Sequence, residues 1–418
     1  MKKRTYRTKN VNKIHWVELK ERLSGEVVSL AIDVAKEHQY AALSDEAADV
    51  LELMRWKHPE QTPELLDALR TLGCPVVVIM ESTSTYGDAL RYQFRALGYT
   101  IHQASAKRVH DASEVYDGVP SLHDAKSASI LSRFYRDGLT NVWVEPNEDE
   151  RKLNALRREY ELHQSQYQRN QNRLEAYLSR HWPEVGRYLS LDSAALEGLL
   201  EQYGSAQQIA CHASQAVELM RSRGGNLLCR DKIDRVIESA TTTLGVPCTE
   251  AESEYLQALA REMKHSRQQK SRAKRAMEAA IDAQPELEEM SRLLGRVTTA
   301  VMLSLALDPR KYPCARAYQK AMGLNLKEKS SGRYVGQLKL TKRGSARART
   351  YLYFAALRLL QNDAWVKRWY QAKLDPRMKM KTVIALMRKL SKAIWHIARG
   401  EKFDAKKLLS LPELAAEQ

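Results

Sequence analysis

The sequence predicts an α/β N-terminal domain followed by a mainly α-helical remainder. Over residues 26–147, short apolar runs alternate with amphipathic segments, which is typical of strands alternating with helices. Two long, strongly charged segments follow, and aromatic residues make up only 7% of the chain, which favours helices over an all-β fold. With 418 residues, 44% of them hydrophobic, the chain is long enough for two or three domains that each have a core.

The first domain is predicted to be a mixed sheet covered by helices. Apolar runs predict four strands, at residues 27–34, 39–43, 74–82 and 99–105. Segments with helical spacing lie between and after them, at residues 62–73, 85–98 and 122–138. Because strands and helices alternate along the chain, the helices are expected to pack on the faces of the sheet.

Two long charged segments, 148–182 and 250–284, predict long helices that flank a more ordinary helical stretch. In the first of them the apolar residues approximate a heptad pattern. These residues are Leu153, Leu156, Tyr160, Tyr167, Leu174 and Leu178. The pattern indicates an antiparallel coiled coil, or an arm for dimerisation. A role in assembly and a role as a plain spacer both stay open.

The third region begins near residue 285 with short helices and continues into a basic loop that opens a long helix. The chain has no acidic residue between Glu328 and Asp363. An uninterrupted basic segment is expected to contact the phosphates of DNA or RNA rather than to form a solvated face. The residues predicted to do so are Arg333, Lys339, Lys342, Arg343, Arg347 and Arg349.

The charge balance predicts a polyanionic partner. Lys and Arg number 67 against 51 Asp and Glu, a formal net charge of +16. Such a balance suggests nucleic acid, although a merely soluble basic protein is the alternative. The five cysteines form no C-x-x-C pair, which fits a reducing cytosol. We expect a cytoplasmic protein without signal peptide or membrane span, with residues 1–25 forming a flexible basic arm along phosphates.

Acidic residues stand at the ends of apolar runs in the first domain. Asp33 closes "VVSLAID", Glu81 closes "VVVIME", and the later loop "VYDGVPSLHDA" carries Asp117 and Asp124. Ligand groups in open α/β sheets collect at the carboxyl ends of strands and in neighbouring loops. Carboxylates brought together repel one another unless a cation lies between them, and Mg²⁺ or Mn²⁺ prefers such oxygen ligands. Two such ions support phosphoryl transfer.

Simpler interpretations exist for each acid. Asp33 could be solvated at a strand end, and Glu81 could cap the following helix. Ser121 and Asp124 have the spacing of a capping box, which would explain Asp124 without metal. His123 is better explained as a polar residue at a helix start than as a metal ligand. The ordered set of acids is stronger evidence than any one of them.

The motif order resembles the DEDD transposases of insertion sequences, which are related to the Piv/MooV invertases and known as bridge-RNA-guided recombinases. The residues that carry the resemblance are "AIDVAK", "MESTSTYG", "KRVHDASEVYDGVPSLHDAKSASIL" and "GLNLKEKSSGRYVGQLKLTKRGSARARTYLYFAAL". The resemblance implies a RuvC/RNase H-like N-terminal domain, a coiled-coil middle and a mainly helical C-terminal transposase domain. The expected boundaries are an arm at 1–25, these domains at 26–147, 148–284 and 285–402, and a tail at 403–418.

The family's metal site implies roles for the acids. It consists of an Asp, a Glu and two further Asp residues, which here points to Asp33, Glu81 and Asp124 with one position open. The usual final pair is D-x-x-D-A, but this chain reads "SLHDA", with Ser121 at the first position. Asp117 is the nearest substitute, three carboxylates with water are the alternative, and His123 is a weaker replacement.

A serine in the C-terminal domain is the second family feature, and it forms a phosphoserine link with DNA. The "KSSGR" stretch matches that segment, and Ser331 is preferred over Ser330 because it directly precedes glycine. Without the resemblance, this stretch reads as a plain Gly-Ser loop. The resemblance also implies a composite site, with acids and serine from different domains and different subunits.

Together with the acids and the basic segment, the resemblance implies an RNA-guided DNA recombinase that cuts and rejoins donor and target DNA with Mg²⁺ or Mn²⁺. Its expected partners are both DNAs, a structured non-coding bridge RNA and further copies of the chain, with dimers pairing into a tetramer. The expected location is the bacterial cytoplasm at the nucleoid. A RuvC-type junction endonuclease without serine catalysis and a non-catalytic nucleic-acid-binding scaffold are the alternatives.

Overall fold

The computed structural model describes residues 6–23, 26–82, 85–225, 228–328, 330–331, 336 and 338–411. The chain divides into two compact units, Met1–Glu145 and Pro146–Gln418. The first has an α/β fold built on a mixed β-sheet, and the second is largely helical. None of the described helices combines the length and apolar character that a membrane span requires.

The first unit is built on a seven-stranded sheet in the order β1-β4-β3-β2-β5-β6-β7. The strands are β1 (Lys9–Asn10), β2 (Val28–Asp33), β3 (His38–Ser44), β4 (Val50–Lys57), β5 (Val76–Glu81), β6 (Thr100–Ala104) and β7 (Asn141–Val142). Strands β2, β5 and β6 run parallel to one another, whereas β3 is antiparallel to both of its neighbours. The four predicted strands are confirmed, and the mixed topology is consistent with a RuvC-like fold.

Helices cover both faces of this sheet. They are α1 (Trp16–Arg22), α2 (Thr62–Leu72), α3 (Asp88–Ala96), α4 (Ala106–Asp111) and α5 (Asp124–Arg136). Side chains of α1, α2 and α3 share a core with Leu30, Ile32 and other residues of one sheet face. Side chains of α4 and α5 pack with Ala31 and Ile79 on the opposite face. Strand β2 is therefore apolar at successive positions, because it is buried from both sides.

The prediction of a flexible basic arm at residues 1–25 is wrong for the part that the structure describes, residues 6–23. Strand β1 pairs in parallel with β4, and helix α1 packs against α2. Val11, Ile14 and Leu19 are buried in the core of the unit. These apolar residues, spaced among the lysines and arginines, attach the segment to the domain.

Two long antiparallel helices dominate the start of the second unit, as the sequence predicts. Helix α6 (Glu148–His181) lies beside α11 (Glu250–Asp282), with Leu153 near the start of α6 packed in one cluster with Met277 and Ile281 at the end of α11. Each helix begins with a capping box. The assignment of the pair as a coiled coil and as a dimerisation arm stays a prediction.

Between these two in sequence, the described residues form four shorter α-helices that pack into one core with them. They are α7 (Ala194–Tyr203), α8 (Ala206–Cys211), α9 (Ala213–Gly224) and α10 (Arg230–Thr241). The largest buried side chain of this core is Trp182, whose indole nitrogen donates to the Ser239 hydroxyl at 3.1 Å. This bond satisfies the polar atom of a side chain that is otherwise apolar.

The remainder of the second unit packs around two long helices, α15 and α17. Its helices are α12 (Glu288–Leu294), α13 (Arg296–Ser304), α14 (Ala315–Ala321), α15 (Ala346–Asn362), α16 (Ala364–Lys373), α17 (Lys379–Ile397) and α18 (Ala405–Leu408). A small antiparallel hairpin of β8 (Leu326–Lys327) and β9 (Lys339–Leu340) precedes α15. This hairpin carries the loop in which the sequence predicts the reactive serine.

Candidate functional site

Two of the predicted acids meet at the C-terminal ends of two neighbouring strands. Strands β2 and β5 are adjacent and parallel, and their last paired residues are Ile32 and Met80. Asp33 and Glu81 each follow by one position, so their backbones are separated by about one strand spacing, roughly 4.8 Å. Both are two residues beyond Ala31 and Ile79, which face α5, so both carboxylates point to the α5 side of the sheet.

Helix α5 brings the third acid to the same place. The hydroxyls of Ser132 and Ser29 lie 2.9 Å apart, which fixes the helix on strand β2. Nearer the helix start, the Ser127 hydroxyl donates to the Asp33 carboxylate. Asp124 is the first residue of α5, about one turn before Ser127. The structure thus brings Asp33, Glu81 and Asp124 together, although they are far apart in sequence.

The electrostatics of the three acids reflect their crowding. Burial, followed by the negative charges of Glu81 and Asp124, raises the pKa of Asp33 to about 7, while the bond from Ser127 acts in the opposite direction. Burial also raises the pKa of Glu81, which is only 9% exposed. At neutral pH the ionised carboxylates destabilise one another, and a nearby cation would relieve this repulsion.

The donor set fits a hard divalent cation. Carboxylate oxygens are the ligands that Mg²⁺ and Mn²⁺ prefer, and all three side chains belong to one unit. In the part of the chain that the structure describes, no three His, Cys, Asp or Glu side chains form a ready-made ion cluster. The three acids are therefore neighbours whose side chains would need to close further around an ion.

Asp117, the expected substitute for the missing family Asp, makes a different contact. Its carboxylate accepts from the Lys126 ammonium at 2.8 Å, from the Tyr6 hydroxyl at 2.9 Å and from the Val119 backbone N–H at 3.0 Å. The bond from Lys126 is the main reason that its pKa is lowered to about 2. Asp117 is thus bonded to helix α5 and to the N-terminal segment as well as to its own loop, and Lys126 competes with any metal for the carboxylate.

Lys126 is a residue that the sequence analysis missed. Its side chain is only 2% exposed, and its ammonium also donates to the carbonyls of Val119 (2.7 Å) and Ser121 (3.0 Å). A buried ammonium with three acceptors ties the loop before α5 to the helix itself. Lys126 therefore helps to set where Asp124 lies.

The structure corrects two of the simpler interpretations. Ser121 and Asp124 do not form a capping box, because α5 begins at Asp124 and His123 is its N-cap residue. The His123 Nδ1 accepts from the Lys126 backbone N–H at 3.4 Å, as expected for a polar residue at a helix start. Glu81 does not cap the following helix, because it ends strand β5 while α3 begins at Asp88.

Arg91 is a second residue that the sequence analysis missed. It is 3% exposed, and its guanidinium donates to the Glu81 carbonyl at 3.1 Å and to the Asp88 carboxylate at 2.6 Å. Gly87 leaves room for it, because a Cβ there would lie 3.0 Å from the guanidinium. Arg91 therefore holds the strand end that carries Glu81. Its isolated position in the sequence gave no signal of this contact.

The predicted serines lie in the loop between β8 and β9 of the second unit, and both are exposed. The Ser330 hydroxyl donates to the Glu328 carboxylate and accepts from the Gly336 N–H at 3.3 Å. Among the described residues, the Ser331 side chain has no hydrogen-bond partner. The Ser330 hydroxyl is therefore engaged with Glu328 and Gly336, whereas the Ser331 hydroxyl makes no hydrogen bond to the part of the chain that the structure describes.

The basic residues predicted to contact nucleic acid differ in their surroundings. Arg333 lies outside the described residues. Arg349 donates to the carbonyls of Met322 and Gly344, and Arg347 lies 3.4 Å from the Glu161 carboxylate of α6. Three further side chains are exposed on the hairpin and the turn after it. These are Lys339, Lys342 and Arg343.

Two family models match the chain. A model of DEDD transposases of the IS110 type, described as "Transposase", matches residues 30–183, and a model described as "Transposase IS116/IS110/IS902 family" matches residues 288–371. No curated protein matches the chain. The first match contains Asp33, Glu81 and Asp124, and the second contains the serine loop. The two models belong to the same kind of transposase and together span more than half of the sequence, so the chain belongs to the DEDD transposases of insertion sequences.

Proposed function

We propose that this transposase is a metal-dependent, RNA-guided DNA recombinase that acts through a phosphoserine intermediate. The observation that carries the proposal is the meeting of Asp33, Glu81 and Asp124 at the carboxyl edge of the sheet. In support, the three acids lie in the segment matched by the first family model, and Ser330 and Ser331 lie in the segment matched by the second. Structured bridge RNA, donor DNA and target DNA are the proposed partners.

The three carboxylates are proposed to hold Mg²⁺ or Mn²⁺. When bound, such ions polarise a phosphoryl group and stabilise the leaving oxygen. Glu81 is held by its strand and by the contact of Arg91 with its carbonyl, and Asp33 by the bond from Ser127. These contacts orient the acids before substrate arrives. With Asp117 bound to Lys126, the proposed ligand set is three carboxylates with water.

Ser331 is the proposed nucleophile. Attack of its hydroxyl on the phosphorus breaks one phosphodiester bond, forms the phosphoserine and leaves a free hydroxyl on the departing strand. Attack by a hydroxyl of the second DNA rejoins the strands and releases the serine. A serine needs activation for this step. Ser331 is exposed and its hydroxyl has no hydrogen-bond partner among the residues that the structure describes, which supports this choice over Ser330, whose hydroxyl is bonded to Glu328.

The hairpin that carries the serines is proposed to contact phosphates. Lys327 and Lys339 are directly opposite each other on β8 and β9, and both are exposed. Like charges at such a cross-strand pair destabilise a hairpin, and a bound phosphate would offset this repulsion. Lys342 and Arg343 follow on the adjoining turn.

The long helix pair α6–α11 is the proposed contact through which dimers form and pair into a tetramer.

A junction endonuclease that does not use the serine is the alternative function. The observation in its favour is that all three acids come from one unit, so hydrolysis by a metal-bound site would not need the second unit. The two functions differ in whether DNA becomes covalently attached to the protein.

The test uses the full chain with RNA transcribed from the DNA flanking its gene, labelled donor and target DNA, and Mg²⁺. We expect a protein–DNA adduct that survives denaturation, and joined products. Ser331→Ala should abolish both, Ser330→Ala should retain them, and Asp33→Asn should lose adduct and strand breakage together. Strand cleavage that continues unchanged in Ser331→Ala would establish the endonuclease instead. No Mg²⁺-dependent breakage by the wild-type chain would leave a non-catalytic binding protein.

A further inference from the structure

A row of side chains continues from the acids across the sheet. Asp33 pairs with Tyr40 on β3, Tyr40 pairs with Arg55 on β4, and Arg55 pairs with Asn10 on β1. Residues paired in this way point to the same side of a sheet. Glu81 on β5 stands beside Asp33 at the other end of this row. The four neighbouring strands therefore place two carboxylates, the Tyr40 phenol and the Arg55 guanidinium side by side.

Helix α5 covers only part of this face. Ala128 of the helix packs with Ala42 and Leu53. These two residues form the next cross-strand pair on the same face, two positions from Tyr40 on β3 and from Arg55 on β4. Beyond Asp124, where the helix begins, the described side chains on this face are half-buried or exposed. Tyr40 is half-buried there, and the side chains at the open end are exposed. These side chains belong to a groove of about 540 Å³, whose lining includes Asn10, His38, Tyr40, Arg55, Lys57 and Glu60.

The groove is rich in hydrogen-bond donors that the protein itself does not use. Within the described residues, the Arg55 guanidinium, the His38 imidazole and the Tyr40 hydroxyl have no hydrogen-bond or ion-pair partner. Lys57 pairs with Glu60 at 2.9 Å, the one acid among the lining residues. His38 and Lys57 are themselves a cross-strand pair. Basic and aromatic groups together are the combination that binds a nucleic-acid strand.

We propose that this groove binds the DNA strand that is cut, on one side of the scissile phosphate. Arg55 and Lys57 would neutralise two phosphates. Tyr40, which lies between these basic residues and the acids, would stack on a base. From Asp33 to Arg55 is two strand spacings, roughly 10 Å. This distance corresponds to about three nucleotides of a stacked strand, whose phosphates follow at about 3.4 Å along the helix axis. The proposal rests on the proposed function, because it takes the acids as the place of cleavage.

The test measures binding of the full chain to random-sequence single-stranded DNA and to RNA of the same sequence, in EDTA, over a series of salt concentrations. Each phosphate contact in a single strand contributes about 0.7 to the slope of log affinity against log salt. Arg55→Gln with Lys57→Gln should therefore reduce the slope for DNA by about 1.4. The matched control, Lys20→Gln with Arg70→Gln, removes the same charge from helices on the opposite face and should leave the slope unchanged.

A contact at Tyr40 is tested separately. Bromodeoxyuridine in the DNA should form a photo-crosslink with the wild-type chain that Tyr40→Ala loses. An unchanged slope, or an equal fall in the control, would overturn the proposal, and a fall for RNA alone would assign the groove to RNA. Because the binding is measured in EDTA, it does not depend on a bound metal or on cleavage. If the groove binds DNA but the wild-type chain never cuts it, the proposed function is refuted while the assignment of the groove as a DNA-binding site remains.

Discussion

The hydroxyl oxygens of Ser29 and Ser132 lie 2.9 Å apart in the interior of the first unit and connect strand β2 to helix α5. Together with the bond from Ser127 to Asp33, this contact fixes the helix along the strand. The start of the helix, and with it Asp124, then lies next to the acids at the strand ends. A polar contact within an otherwise apolar layer thus helps to determine where the Asp124 carboxylate lies.

This contact predicts a specific pattern of stabilities. Ser132→Ala should lower the free energy of unfolding by roughly 1–2 kcal/mol, because it leaves the buried Ser29 hydroxyl without a partner. The double variant, Ser29→Ala with Ser132→Ala, should be closer to the wild type than the single variant is, because neither buried group then lacks a bond. Urea unfolding of the three proteins checks this. A double variant that is less stable than Ser132→Ala would contradict this interpretation, because removal of the second hydroxyl would then cost further stability.

The crowding of the acids predicts how stability depends on pH in EDTA. The pKa of Asp33 is about 7 in the folded chain against 3.8 ordinarily, so the folded state keeps a proton that the unfolded state has released. The free energy of unfolding should therefore fall as pH rises from about 4 to about 7, by roughly 3 kcal/mol from this group. Asp33→Asn should remove that fall and be the more stable protein at pH 8.

The control for this prediction is Asp67→Asn on α2, where the carboxylate is exposed and bonded to Arg70 at 2.8 Å. This variant should retain the fall. Mg²⁺ should flatten the profile of the wild type, because a cation stabilises the ionised carboxylates. A wild-type profile that is already flat in EDTA would mean that Asp33 is not in the environment described above.

The sequence was sufficient to predict the strand-end acids but not every strand. Asp33 and Glu81 follow runs of apolar residues, and such runs indicate buried strands that end at one edge. Strand β4 was missed because Glu52 and Arg55 interrupt its apolar residues, and this strand lies nearer the edge of the sheet, where one face is open. Arg55, one of the two residues that interrupt the apolar pattern, lines the groove, so the side chain that obscures the strand in the sequence also belongs to the proposed binding surface.

The contacts of Asp117 and Lys126 could not be predicted for a different reason. Nine residues separate them, and the loop between them has no regular periodicity. Which cation meets Asp117 depends on how that loop folds back on α5. Burial of a lysine is also contrary to its usual preference, so composition alone would place Lys126 on the surface. The sequence therefore suggests Asp117 as a metal ligand, whereas in the structure its carboxylate is bonded to Lys126 and Tyr6.

Lys126 is expected to be important for the stability of this region. Lys126→Met should lower the free energy of unfolding by roughly 2 kcal/mol or more, since three charge-assisted bonds are lost. It should also speed proteolysis within residues 112–123, because the loop is no longer tied to the helix. Urea unfolding and limited proteolysis measure the two effects. Lys107→Met on the exposed surface of α4 is the matched control, and equal behaviour of the two variants would contradict the structural role of Lys126.

Gly295 joins helices α12 and α13 and is predicted to be intolerant of a side chain. Its φ is +86°, and a Cβ there would lie 2.7 Å from the Arg358 guanidinium. Arg358 in turn donates to the carbonyls of Arg292 (3.1 Å) and Leu293 (2.7 Å) at the end of α12. Gly295→Ala should therefore combine backbone strain with displacement of Arg358, for a loss of roughly 2–3 kcal/mol.

Gly400 provides a control that separates these two causes. Its φ is +89°, but a Cβ there would have no atom within 4 Å, so Gly400→Ala should show the backbone cost alone, roughly 1 kcal/mol. Arg358→Ala combined with Gly295→Ala should cost less than the sum of the two single variants, because the alanine then no longer displaces the guanidinium. Thermal and urea unfolding of the four proteins measure this. Equal losses for Gly295→Ala and Gly400→Ala would show that Arg358 moves aside freely and does not hold the two helices at their junction.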